Sequence, residues 1–207
     1  MKRHATWGAS LPAILLPLLV FGVEATKTGI ITGTIAVGGR PTADAVVSVE
    51  GLPQEDLKSQ ISNLKSKKAV MDQRETKFIP RVLPVLAGTT VSFPNNDKTW
   101  HNVFSKSESK PFDLGLYPGG ETRSVTFDKP GVVRILCNVH PSMEAYIVVK
   151  SHPYFAAPDK RGSYRINAVP LGQYRLEVWH PDLGTKVVSF NLVREGEVLT
   201  LNVDLKK

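Results

Sequence analysis

Apolar and polar residues alternate in short runs over most of this chain, and a period of two predicts β-strands. In residues 89–93, Val91 and Phe93 fall on one face, with Thr90 and Ser92 on the other. Val125 and Phe127 alternate in the same way within 124–127, and 131–137 sets Val133, Ile135 and Cys137 on one face. Residues 29–37, 45–50, 145–149, 164–166, 174–179, 186–193 and 198–205 are further strand candidates. Turn residues punctuate the runs at Pro94-Asn95-Asn96-Asp97, Pro118-Gly119-Gly120 and Asp128-Lys129-Pro130-Gly131. Short strands at this spacing predict an all-β protein, an antiparallel sandwich or barrel. One stretch departs from the period. Leu57, Ile61 and Leu64 recur on a helical face, with Glu55 and Asp56 near its start and Lys65, Lys67 and Lys68 near its end. A short helix or linker is expected over 53–68.

The N-terminus reads as a secretory leader. Lys2, Arg3 and His4 precede an apolar run over 11–23 that Pro12 and Pro17 interrupt, and Val23-Glu24-Ala25 offers small residues for cleavage after Ala25. The run is short of the roughly 20 apolar residues that a bilayer span requires, so no integral span is expected in the mature form. No Cys follows it, which removes lipid attachment. Export to a bacterial periplasm is the expectation. The formal charge of +7 is scattered, which gives a solvated positive face or a dock for an acidic protein but no nucleic-acid arm. A single Cys in an exported chain excludes an intramolecular disulfide. That thiol is either buried and inert or a metal ligand.

Cys137-Asn138-Val139-His140-Pro141-Ser142-Met143 decides between them. Thiolate, imidazole and thioether lie within seven residues, at a strand end and in the loop after it. Soft sulfur suits cuprous copper, imidazole suits both oxidation states, and blue-copper sites combine two His, one Cys and a weak axial Met. A second His is therefore needed, and His101, in Thr99-Trp100-His101-Asn102-Val103, is the candidate. Zinc gains little from a thioether, and a thiolate-bridged dinuclear site needs a second Cys.

The segment from 69 to 150 resembles the cupredoxin family, in its type 1 blue-copper, amicyanin- and plastocyanin-like members. The likeness rests on Phe78-Ile79-Pro80, Ala87-Gly88-Thr89-Thr90-Val91, Asn95-Asn96-Asp97, His101-Asn102-Val103 and the Cys137 to Met143 loop. It implies a Greek-key β-sandwich holding one type 1 copper. His101 and His140 would be equatorial ligands, Cys137 the thiolate and Met143 the long axial ligand. Asn102 would tie the first ligand loop to the Cys strand. Phe112-Asp113-Leu114-Gly115, Pro153-Tyr154-Phe155-Ala156 and Val178-Trp179-His180 are similar to bacterial methylamine-utilization-like exported proteins.

Gly29-Ile30-Ile31-Thr32-Gly33-Thr34-Ile35, Gly39-Arg40-Pro41 and Val169-Pro170-Leu171-Gly172-Gln173-Tyr174 resemble a carboxypeptidase regulatory-like domain, a small transthyretin-like β-sandwich. The expected organisation is a leader at 1–25, a first part of that sandwich at 26–52, a helical linker at 53–68, the cupredoxin at 69–150 and the second part at 151–207. Some 55 residues bury little surface alone, so joining two flanking halves gives a core neither could form. The alternative assigns 29–50 to the cupredoxin sheet.

After the leader, only His101, His140, His152 and His180 remain, too few for a trinuclear cluster beside a blue site. His152 and His180, each before a Pro, are expected in turns at the domain junction. The chain is thus read as an electron carrier rather than an enzyme, exchanging with a redox protein such as a cytochrome or dehydrogenase. Copper storage or delivery, and a cell-envelope binding module with incidental copper, stay open as alternatives.

Overall fold

The computed structural model describes residues 27–53 and 68–206. The leader at 1–25 and, apart from Pro53 and Lys68, the helix expected over 53–68 lie outside the described residues. Every regular element described is a strand, as the alternation predicts.

The chain opens with β1 (Thr28–Val37), β2 (Arg40–Pro41) and β3 (Val46–Glu50). The middle segment carries β4 (Lys68–Val70), β5 (Asp72–Arg74), β6 (Lys77–Ile79), β7 (Val82–Leu86), β8 (Thr89–Pro94), β9 (His101–Ser105), β10 (Phe112–Tyr117), β11 (Thr122–Phe127), β12 (Gly131–Leu136) and β13 (Glu144–Lys150). The chain closes with β14 (Phe155–Ala156), β15 (Ser163–Pro170), β16 (Gly172–His180), β17 (Gly184–Leu192), β18 (Val198–Thr200) and β19 (Val203–Leu205).

The middle segment folds on itself. One sheet has the order β10-β9-β12-β13-β7, the other β11-β8-β4, and β5-β6 forms a hairpin beside them. Between the sheets lie Phe93, Val103, Tyr117, Phe127, Ile135 and Ile147, all fully buried. The strands on either side of this segment pair with each other instead. β1 is antiparallel to β15 and parallel to β18 and β19. β3 lies between β14 and β16, with β17 at the edge. Ile31, Ile35, Val47, Leu176 and Leu192 fill that second core.

Not every pairing is antiparallel. β13 runs parallel to β7, and β4 to β8. Run 198–205, expected as one strand, breaks into β18 and β19 because Asn202 turns its carboxamide oxygen to the Thr34 N–H, 2.9 Å away. The two cores meet across β13 and β16, where Val46, Val82 and Val148 form a small apolar cluster against Trp179. No helix among the described residues is long and apolar enough to cross a membrane.

Candidate metal centre

The site forms at one pole of the middle unit. β8 ends at Pro94, the turn through Asn95–Trp100 follows, and β9 begins at His101. β12 ends at Leu136, so Cys137 is the first residue off the strand, and its loop returns to β13 at Glu144. Leu136 pairs antiparallel with Phe104 of β9, so the chain leaving β12 runs back toward His101 at the start of β9.

His101, Cys137 and His140 offer donor atoms that all lie within 4.8 Å of one another. The two Nδ1 atoms of His101 and His140 are 3.1 Å apart, and Cys137 Sγ is 4.0 Å from His101 Nδ1. Donors that share an ion at about 2.0–2.3 Å stand no more than about 4.6 Å apart, and the 3.1 Å and 4.0 Å separations satisfy that limit. His101 is fully buried, Cys137 nearly so, and His140 reaches the surface. Met143 is buried in the core that holds Cys137, and its N–H donates to the His140 carbonyl at 2.9 Å.

Asp97 sets the orientation of the first imidazole. Its Oδ2 lies 3.0 Å from His101 Nε2. An ionised carboxylate only accepts, so Nε2 carries the proton and Nδ1 turns a lone pair toward Cys137 and His140. The backbone N–H of Thr76 and the Nε2–H of His101 hold the Asp97 carboxyl at about 2, below its usual range. A carboxylate behind a metal-binding imidazole also raises its basicity. Neither the alternation pattern nor the metal-loop spacing identifies Asp97. The only signal in the chain is a carboxylate four residues before a His.

Tyr117 is paired with His101 in the β9–β10 ladder and is fully buried. Burial pushes its phenol up to about 12, as the nearby Cys137 also does. Gly119 packs against the Asp97 carbonyl so closely that a Cβ would stand 2.2 Å from the oxygen.

The structure gives Asn102 a different role from the expected tie to the Cys strand. Its side-chain Nδ2 donates to Asp113 Oδ1 of β10 at 2.7 Å, and its side-chain Oδ1 is buried without a partner. Register explains the change: Asn102 stands opposite Leu116 beside a bulge that brings Asp113 within reach. His180 ends β16 rather than lying in a turn, and His152 sits in a bend between β13 and β14; both are buried. Burial lowers the His180 pKa. Among the described residues neither joins the three-donor cluster.

Residues 65–150 match the family model of copper binding proteins of the plastocyanin/azurin family. The middle unit is a cupredoxin domain. An amicyanin-alpha from Methylorubrum extorquens is 31% identical over 77 residues, which cover 36% of this chain and 65% of that protein. This chain therefore spans slightly less than two thirds of that relative's length. A purple cupredoxin from Nitrosopumilus maritimus is similar in structure at 23% identity and a TM-score of 0.37, over 40% of this chain and 99% of its own. A copper-containing nitrite reductase from Thermus scotoductus is 28% identical with a TM-score of 0.39, over 42% of this chain and 23% of its own. The family match and the sulfur-and-imidazole donor set agree on copper as the cofactor.

Proposed function

We propose that His101, Cys137, His140 and Met143 hold one type 1 copper per chain, and that the protein passes single electrons between redox proteins in the periplasm. The supporting observation is the buried Cys137 sulfur and buried His101 imidazole facing a second imidazole that is partly exposed. Copper in such a site changes oxidation state by one electron. The protein's part is to keep the donors fixed and dry, so that little rearranges when charge moves.

His140 is the donor nearest to solvent, and apolar residues adjoin the ligands. Val139 precedes His140 and is 47% exposed, Pro141 follows it, and Trp100 before His101 is 53% exposed. A partner docking on this apolar surface would meet His140. The reading is of an electron carrier rather than an enzyme. It places residues 26–52 and 151–207 in one carboxypeptidase regulatory-like sandwich interrupted by the copper domain at 69–150. The pairing of β1 and β3 with strands from residue 155 onward supports that division.

Cupric loading provides the test. An intense visible thiolate-to-copper band is expected that bleaches on reduction and returns on oxidation. Cys137→Ser should abolish it, and Val139→Asp should slow exchange with a redox partner while sparing the band. A colourless copper complex, or a band that survives Cys137→Ser, overturns the assignment.

A further inference from the structure

The β5–β6 hairpin lies outside both sheets of the copper domain, yet it is joined to the His101 loop at its root and at its tip. At the root, the fully buried Gln73 donates from Nε2 to the Tyr117 hydroxyl at 2.6 Å and to the Pro94 carbonyl at 3.2 Å. The Asn96 N–H donates back to the Gln73 carbonyl at 3.0 Å. At the tip, the Thr76 N–H donates to Asp97 Oδ2 at 2.8 Å, the same oxygen that faces His101 Nε2.

The tip is an unfavourable turn. Glu75 and Thr76 have φ of 51° and 53°, left-handed values that a β-branched Thr rarely adopts and that Asn-Gly supplies at little cost. The Gln73 side-chain oxygen is buried without a partner. Backbone strain and an orphaned polar atom in one short hairpin call for a compensating role.

We propose that the β5–β6 hairpin is a positioning element for the copper centre: the Thr76 N–H holds the Asp97 carboxylate on His101 Nε2 and so fixes how His101 Nδ1 is presented. The inference rests on the copper reading of His101. Thr76 and Asp97 touch no metal and act through the imidazole. A carboxylate behind a ligand favours the cupric ion over the cuprous one, so releasing it moves the balance toward cuprous copper.

The full-length protein tests this by reduction potential and by amide exchange of the copper-free form. Asp97→Ala should lower the cupric-to-cuprous affinity ratio about tenfold, a rise of about 59 mV for one electron. Thr76→Pro removes the N–H and should shift the potential in the same direction, but add nothing when Asp97 is already Ala. The double change Glu75→Asn with Thr76→Gly keeps the N–H in a relaxed turn and should retain the wild-type potential. An unchanged potential in Thr76→Pro, an equal shift without Asp97, or a matching shift in the relaxed turn would each overturn the proposal.

Without copper, the Thr76 amide should exchange at least tenfold faster in Asp97→Ala than in wild type; equal rates would show that no such bond forms. Thr76→Pro can fail to fold, and the exchange measurement does not depend on it. A wild-type protein that binds no copper refutes the copper reading, while the exchange result still decides whether the hairpin holds Asp97.

Discussion

Met143, the proposed axial ligand, is also part of the packing of the copper domain. It is 1% exposed and shares the copper-domain core with Cys137 and Ala145. Truncation to Ala would mix a lost thioether with a cavity worth about 2–5 kcal/mol. Leu keeps the volume, and such exchanges cost less than about 1.5 kcal/mol. Met143→Leu should therefore leave the denaturant midpoint of the copper-free protein nearly unchanged. The reduction potential should rise, because the thioether proposed to donate to cupric copper is replaced by hydrocarbon. An unchanged potential would remove Met143 from the ligand set. His101 and His140, whose donor atoms the fold brings together, could be picked out from sequence because their type and spacing match the donors copper prefers. Asp97 could not, because a carboxylate beside a surface turn has many ordinary uses.

Among elements, β8 and β12 were legible because each buries one face. β8 reads buried and half-buried in strict alternation, so its residues follow the period of two. β13 is less regular, since Ala145, Ile147 and Val149 face the copper-domain core while Tyr146 and Val148 meet the second unit. The β5–β6 hairpin was missed because its turn is Glu75-Thr76, without the Gly or Asn that marks such turns. β7 was missed because Pro84 interrupts it, which an edge strand tolerates. The turn at Gly119 and Gly120 carries a prediction at this scale. Gly120 has φ of 88° and open space, whereas a Cβ on Gly119 would collide with the Asp97 backbone. Gly119→Ala must push the Asp97 loop away, at a cost of about 1–3 kcal/mol. Its thiolate–copper band should shift, and thermal melting of the copper-free protein should start lower. A variant with the wild-type band and melting temperature would show that the loop yields without disturbing His101.

The whole molecule depends on how two cores are joined. Tyr146 and Trp179 meet edge to face at 5.5 Å, beside the Val46, Val82 and Val148 cluster. Arg81 of the copper domain reaches both Asp44 and Asp182, one from each flanking stretch of chain. Lys150, at the end of β13, lies 2.6 Å from Glu50 and 3.5 Å from Glu177. Burial alone would raise the Glu50 pKa. Contacts with His152, Lys150 and Ser48 outweigh that and bring it to about 2, against an ordinary 4.5. The unfolded chain therefore takes up this proton at a higher pH than the folded one. Glu50 contributes stability that is fully present above about pH 4.5 and disappears as pH falls toward 2. With the carboxylate 28% exposed, solvent reduces the effect to the order of 1–3 kcal/mol. Glu50→Gln should thus destabilise the protein at pH 7 and match wild type near pH 2, which calorimetry at the two pH values can measure. A constant difference at both would mean that Gln is merely a poorer fit, and that the charge between the two units contributes nothing to holding them together.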